Sequence, residues 1–473
     1  MKLYPNIIAG NHVQTEEVLD IVDPFTGQII GTTCWVGKDE VAVAIDEGVR
    51  ALKTVKNFSS YEREEALKSI ASAIQSKKDE LANLIVLECA KPYKYALGEV
   101  DRAIQTFQIA AEETKRLPKE YIDLDWTPSG KKKEGFIKYF PIGVIVGITP
   151  FNFPLNLVAH KVAPAIAAGC PIIIKPSPKA PLSAIELGKI IANSNLPSGM
   201  ISVLNIRDEL VKEMCHDEGV KMISFTGSPE VGWGLKGASG DKKITLELGG
   251  NAGVLIAADA DITSAVSKCV GGAFAYSGQV CIHTQRIYVQ ETIFDEFVNQ
   301  FVLEAANLKF GDPANQSTDI SVMIDEENSV RVENWVNESI AGGAKLLIGG
   351  KRKGAFFPPT VLTNTKINDK VCSEEVFGPV VVIEKYTDLE EGFNQLNNSK
   401  YGLQAGVFTN DIQLTTKAFN ELEVGGVIVN DVPTFRVDHM PYGGVKKSGF
   451  GREGVKYAIR EMMEPKILVK ETE

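Results

Sequence analysis

Three side chains in this sequence are suited to nucleophilic, basic and oxyanion-binding work, and each lies where the backbone can open toward a cleft. Cys281 closes the segment Tyr276-Ser277-Gly278-Gln279-Val280-Cys281, just beyond the small-residue stretch from Gly271 to Ala275. A cysteine is a nucleophile only where cations or backbone amides favour its thiolate, and elsewhere it is an inert small residue. Glu247 lies near the end of the apolar run Ile244 to Leu248, which leads into Gly249 and Gly250. Partly desolvated there, a carboxylate gains a raised pKa and suits a general base near neutral pH. Strand alternation puts Leu246 and Leu248 on the opposite face from Glu247, a pattern equally compatible with a solvent-facing or salt-bridged carboxylate. Asn152, in Thr149-Pro150-Phe151-Asn152-Phe153-Pro154-Leu155, stands between the strand-like run Val144 to Ile148 and the helical run Asn156 to Ala168. Its amide can donate to a developing oxyanion, although Asn beside Pro is also ordinary turn chemistry.

Two further motifs suggest a nucleotide. Ile174-Lys175-Pro176-Ser177 ends a buried strand with a lysine, and Phe225-Thr226-Gly227-Ser228-Pro229 ends another with Gly and Ser opening a helix. Open α/β sheets bind nucleotides at the carboxyl ends of their strands, where a helix amino terminus can meet a phosphate. The G-x-G-x-x-G fingerprint is absent, so the glycines alone do not specify a standard dinucleotide fold.

The elements that must hold these residues follow from periodicity. Val41, Ile45 and Val49 recur at helical spacing, as do Leu67, Ile70, Ile74, Leu81, Leu84 and Ile85, so helices are expected from Lys38 to Gln108. Short β-branched runs then alternate with helical stretches: Val144 to Ile148, Ile172 to Lys175, Ile201 to Leu204, Met222 to Phe225 and Ile244 to Leu248. That alternation reads as parallel α/β. A second set, Gly253 to Ile256, Arg286 to Val289, Leu346 to Ile348, Val380 to Ile383, Gly406 to Phe408 and Val427 to Val429, predicts a second α/β domain. The polar stretch Tyr121 to Phe140 and the terminal stretch Lys466 to Lys470 fit neither sheet and could pair as an arm, with Lys131, Lys132 and Lys133 at a solvated turn.

Composition narrows the class. A chain of 473 residues exceeds what one core usually supports. The net charge of -11 disfavours nucleic acid and anionic membranes as partners. The longest apolar run, Val162 to Ile174, contains Pro164 and Pro171 and is bracketed by Lys161 and Lys175, too short for a membrane helix. Residues Met1 to Gly10 lack a signal-peptide pattern, so a cytoplasmic protein is expected. Seven cysteines without a C-x-x-C pair, and only five histidines, predict reduced thiols and no metal site.

Pro150-Phe-Asn-Phe-Pro154, Lys175-Pro-Ser177, Phe225-Thr-Gly-Ser228, Glu247-Leu-Gly-Gly-Asn251, Gly278-Gln-Val-Cys281, Glu375-Val-Phe-Gly-Pro379 and Pro441-Tyr-Gly-Gly-Val-Lys-Lys-Ser-Gly449 occur in this order. Together they resemble the aldehyde dehydrogenase superfamily, from about Pro24 to Val469. The resemblance implies an α/β fold with a Rossmann-like cofactor domain (1–120 and 141–247), an α/β catalytic domain (248–440) and a β-arm for oligomerisation (121–140 and 455–473), assembled as a homodimer or homotetramer. It implies that Cys281 forms a thioester with the aldehyde, that Asn152 and the Cys281 backbone N–H hold the oxyanion, and that Glu247 activates the hydrolytic water. It implies NAD or NADP as cofactor, with Lys175 at the adenine ribose, Gly227 and Ser228 at the pyrophosphate, and Glu375 and Phe377 at the nicotinamide ribose and ring. Glu453 in Gly451-Arg-Glu-Gly454 is a further candidate, for proton relay.

The sequence departs from the family in two places. Many NAD-preferring members carry Glu where this chain has Pro178, so a 2′-phosphate would meet no like charge there, and Lys179 could favour it. Phe151 replaces a frequent Trp. CoA-acylating relatives generally lack the Glu of the Leu-Gly-Gly motif, so Glu247 argues for hydrolysis; a catalytically silent relative would be expected to lack Cys281, Asn152 or Glu247. Asn430-Asp-Val-Pro-Thr-Phe-Arg-Val-Asp438 and Met440-Pro-Tyr-Gly-Gly444 resemble the lactaldehyde dehydrogenase-like branch, which implies a small aldehyde, lactaldehyde- or semialdehyde-like. Val280, Ile282 and Phe153 should make an apolar, narrow mouth. Arg102 and Arg436 are candidates to meet an acid group, the alternative being salt bridges of Arg102 with Glu99 or Asp101 and of Arg436 with Asp438.

Overall fold

Four helices, Lys38–Val55, Ser60–Ser76, Lys78–Cys89 and Tyr93–Glu113, occupy the region where apolar residues recur at helical spacing. Each buries one stripe, as with Val41, Ala44, Ile45 and Ala51 of the first. The second begins with a capping box: the Ser59 hydroxyl accepts the Glu62 N–H at 3.2 Å and the Glu62 carboxylate accepts the Ser59 N–H at 2.7 Å, an arrangement that contributes about 1 kcal/mol. The computed structural model describes residues 2–473.

The first of these helices packs on one face of an eight-stranded sheet and the other three cover the opposite face. Its central strands are parallel, in the spatial order Ile201–Val203, Ile172–Lys175, Val144–Ile148, Val220–Thr226 and Lys243–Glu247. The chain therefore runs outward in one direction from Val144–Ile148, then returns to add Val220–Thr226 on its other side. That reversal is the topological switch point of a Rossmann-like sheet, beyond whose carboxyl ends a crevice must open. Asn152 follows the first of the two switch-point strands, and Gly227 and Ser228 follow the second. Beneath the first lies Asn156–Ala168, a helix buried at every position, so the Asn152 turn rests on a rigid support.

A second, seven-stranded sheet runs Lys345–Ile348, Thr360–Thr363, Val380–Tyr386, Arg286–Gln290, Gly253–Ile256, Gln404–Phe408, Gly426–Val429, parallel except at its first pair. Thr360–Thr363 was not expected from sequence. It is four residues long and follows Pro358 and Pro359, too short a run for its period to register.

The orphan segments form a three-stranded antiparallel arm, with Lys133–Pro141 between Lys119–Asp123 and Met463–Glu471. The stretch assigned to the arm from 455 is divided. Val455–Glu461 is a helix whose Val455, Ala458 and Ile459 sit in the core beside the first sheet, and only the strand Met463–Glu471 joins the arm. No helix among the described residues is long and apolar enough to cross a membrane. No cluster of three or more potential metal-ligating side chains occurs among them, and all seven cysteines are free thiols.

Candidate active site

Glu247 is the last residue of its strand, which pairs with Thr226 on one side and Gly449 on the other. Leu246 and Leu248 turn into the core, and Glu247 turns the opposite way into a cavity of about 410 Å³ at the switch point. It is 4% exposed, and neither carboxylate oxygen has a hydrogen-bond partner among the described residues. Burial, reinforced by the negative charge of Glu453, pushes its pKa well above the usual carboxylate range.

Cys281 reaches the same cavity through an unusual backbone. Tyr276 and Ser277 both adopt left-handed conformations (φ 49° and 53°) before Gly278 at φ 68°. Non-glycine residues persist there only when neighbours over-determine them. Here the Ser277 hydroxyl donates to the Ser321 carbonyl at 2.7 Å, the Tyr276 hydroxyl to the Cys89 carbonyl at 3.2 Å, and the Ile324 N–H to the Gln279 side-chain oxygen at 2.9 Å. The Asn152 amide donates one of its two protons to the Gln279 carbonyl at 2.9 Å, which ties the oxyanion candidate to the nucleophile loop and leaves the other proton free. The Asn152 carbonyl in turn accepts from Lys91, a fully buried ammonium that is also paired with Glu99. Burial pushes the Cys281 thiol up to about 11, opposed by a hydrogen bond to Tyr442 and by the Arg436 guanidinium.

The cofactor candidates divide. Gly227, Ser228, Glu375 and Phe377 line the cavity with Cys281, Asn152 and Glu247. Ser228 caps the helix Pro229–Ala238, its hydroxyl accepting the Val231 N–H, so the helix amino terminus faces the crevice. Glu375 accepts the Gly250 N–H at 3.2 Å, and burial raises it to about 7 against the pull of that bond and of Arg331. A Cβ on Gly249 would overlap the Glu375 carboxylate, which explains the glycine. The buried Thr226 hydroxyl lacks a partner among the described residues. A crevice at the switch point, a capped helix start and unpaired polar groups fit a dinucleotide. Lys175 stands apart from the cavity lining, at the next strand end, donating to Asp208 at 2.9 Å. Lys179 is not free to meet a phosphate, since its ammonium is paired with Asp325.

Arg102, Phe153 and Arg436 also line the cavity, and the salt bridges expected for the arginines are replaced by others. Arg102 donates to Asp438 at 2.7 Å, while Glu99 is held by Lys91 and Asp101 by Lys78. Asp438 also accepts from His160 at 2.7 Å; against the opposing effect of burial, these two partners hold it well below the usual carboxylate range. Arg436 pairs with Glu453 at 3.3 Å, and Glu453 also accepts from Lys161 at 3.1 Å. Although burial works against it, Glu453 is held down to about 2 by these cations. Glu453 is therefore held ionised, and its charge adds to burial in raising Glu247. Sequence reasoning missed Tyr442, whose hydroxyl lies 3.2 Å from the Cys281 sulfur and 161 residues away in the chain.

Residues 11–468 match the aldehyde dehydrogenase family. The chain is 43% identical to a 3-sulfolactaldehyde dehydrogenase of Priestia aryabhattai, covering 99% of this chain and 98% of that one. It is 42% identical to a lactaldehyde dehydrogenase of Methanococcus aeolicus, covering 98% and 99%. Among solved structures, aldehyde dehydrogenase 21 from Physcomitrella patens in complex with the reaction product succinate superimposes with a TM-score of 0.98 at 42% identity, covering 99% and 98%. Glyceraldehyde-3-phosphate dehydrogenase GapN from Methanocaldococcus jannaschii, complexed with NADP, gives 0.92 at 41%, covering 97% and 100%.

Proposed function

Since this chain belongs to the aldehyde dehydrogenase family, we propose that it oxidises a small aldehyde, hydroxylated or acid-bearing, to the carboxylate through a thioester on Cys281 that water hydrolyses. The activity of the family is NAD(P)-dependent oxidation of an aldehyde. The observation that carries the assignment of roles is the convergence of Cys281, Asn152 and Glu247 on one cavity at the switch point. The Cys281 sulfur adds to the carbonyl carbon, and the free Asn152 proton and the Cys281 N–H hold the oxygen as it becomes negative. NAD or NADP, when bound, accepts the hydride the carbon must lose. Gly227 and Ser228 are assigned to its pyrophosphate, Glu375 and Phe377 to the nicotinamide ribose and ring, and Lys175 to the adenine ribose. Glu247 then takes a proton from water, which attacks the thioester and returns the thiolate.

An acid group on the substrate is supported by the two arginines. Arg102 uses Nε and Nη2 on Asp438 and has no bond from Nη1 among the described residues, and the buried Arg436 Nε has no partner among them. Efficiencies for lactaldehyde, succinic semialdehyde, hexanal and benzaldehyde, read as NADH or NADPH formation with and without CoA, test the reading. The first two should be preferred, without a CoA requirement, and Arg102→Ala should weaken succinic semialdehyde by about tenfold or more, the worth of one charge-assisted bond. A preference for hexanal or benzaldehyde overturns the substrate class, and an Arg102→Ala enzyme that spares the acid returns that residue to a purely structural pairing with Asp438.

Both cofactors should support turnover, because Pro178 places no carboxylate against a 2′-phosphate. Like-charge exclusion is worth about 1 to 3 kcal/mol, so its loss should narrow the ratio of efficiencies. No turnover with saturating NADP would refute this. The arm presents exposed apolar side chains, Phe136, Ile467, Leu468 and Val469 among them, which supports its assignment as the surface that builds a homodimer or homotetramer. The division into a cofactor domain, a catalytic domain and this arm, and residence in the cytoplasm, belong to the same reading.

A further inference from the structure

We propose that the Tyr442 phenol stabilises the thiolate of Cys281, donating a hydrogen bond to its sulfur while the Arg436 guanidinium lies on the face of the phenol ring. The hydroxyl is 3.2 Å from Sγ, and the guanidinium carbon is 3.7 Å from the ring centroid. Tyr442 is 3% exposed and its backbone is fixed on both sides by Glu453: the Tyr442 N–H donates to the Glu453 carbonyl at 3.0 Å, and the Glu453 N–H donates back at 2.6 Å. Glu453 also holds Arg436 through its side chain. One residue thus fixes the backbone that carries the ring and the cation stacked on it, which holds the hydroxyl near the sulfur.

The surroundings of that sulfur set the balance between thiol and thiolate. Burial opposes a charge there, and the carboxylates of Glu375 and Glu247 oppose it too. Against them stand the Tyr442 hydroxyl and the Arg436 cation. Behind these, Lys161 and Glu453 face each other as an ion pair. A cation over an aromatic face draws electron density from the ring, which makes the phenolic O–H a stronger donor. Burial keeps the phenol protonated far above neutral pH, so it can donate whenever the thiolate forms. A hydrogen bond to a charged acceptor is worth more than one to a neutral acceptor, and the difference favours S⁻ over S–H.

The inference uses the assignment of Cys281 as nucleophile, but its test does not depend on aldehyde turnover. Iodoacetamide alkylates the thiolate, the carbon–sulfur bond forming as iodide leaves, so the rate against pH reads the ionised fraction. In Tyr442→Phe the midpoint should move up by about one pH unit, with alkylation at neutral pH about tenfold slower. As pH rises toward the midpoints the gap between variant and wild type should narrow, a convergence that a distorted or blocked site would not give. Thermal melting of the variant checks that the fold is kept. An unchanged midpoint, or a lower one, overturns the proposal, the latter because the thiol would then be the donor and the phenol oxygen the acceptor. Failure of the aldehyde panel with a shifted midpoint would overturn the substrate reading and leave this one standing.

Discussion

Cys281→Ser should lower dehydrogenase turnover by on the order of 10⁴- to 10⁶-fold, the scale on which removal of a covalent nucleophile is felt. The alcohol has nearly the same size, so the left-handed turn through Tyr276 and Ser277 and its bonds to Ser321 and Cys89 should stay intact. The loss should be one of chemistry alone, because a serine hydroxyl has no accessible anionic form at this site and neither Tyr442 nor Arg436 supplies a base. Cofactor binding, followed by quenching of protein fluorescence, should match the wild type. Retention of a tenth of the wild-type rate would remove Cys281 from the role of nucleophile.

Glu247→Gln should separate the two halves of the reaction. Thioester formation needs Cys281 and Asn152, whereas hydrolysis needs a base, and removing a positioned base costs about 10²- to 10⁴-fold. Rapid mixing should show a burst of reduced cofactor close to one equivalent per site, followed by very slow turnover. The pH dependence has a definite sign. Glu247 is raised, first by burial and then by the charge of Glu453, so it gains its basic form only as pH rises above the usual carboxylate range. Wild-type hydrolysis should therefore climb with pH. Glu453→Gln removes the negative neighbour and leaves Arg436 and Lys161 uncompensated, and all three changes favour Glu247 ionised, so the climb should begin at lower pH. An unchanged steady-state rate in Glu247→Gln, with no burst, would exclude it as the base.

The parts of the site written in local sequence were legible, and the parts written in long-range pairing were not. Alternation set Glu247 on the face opposite Leu246 and Leu248, while its role as base came only from the order of the motifs, and the switch-point strands announce themselves as β-branched runs between helical stretches. The role of Ser228 as a cap follows from its position before Pro229. The arginines misled because near neighbours in sequence offered obvious partners. Arg102 lies one residue from Asp101 but pairs with Asp438, 336 positions away, since the helix directs it across the cavity mouth and away from its own neighbour. Arg436 passes over Asp438 for Glu453 because His160 and Arg102 already occupy that carboxylate. Lys179 was expected to be available and is instead taken by Asp325 from the second half of the chain. Tyr442 stood in view within Pro441-Tyr-Gly-Gly444, yet nothing local distinguishes a phenol that meets a thiol from one that merely packs.

The return of the chain to its first sheet has a consequence for how the protein is made. The strands of the seven-stranded sheet all lie between Gly253 and Val429, so that sheet can close as soon as its own residues have emerged from the ribosome. The eight-stranded sheet cannot: the edge of Lys243–Glu247 stays open until Gly449–Phe450 is synthesised, and the helical layer stays unfilled until Val455–Glu461 emerges. Although most of its strands come earlier in the sequence, the body that carries Asn152 and Glu247 is completed later than the seven-stranded sheet. Until then its apolar helix face and open strand edge are the surfaces most prone to wrong association, and the ones a chaperone would have most reason to cover.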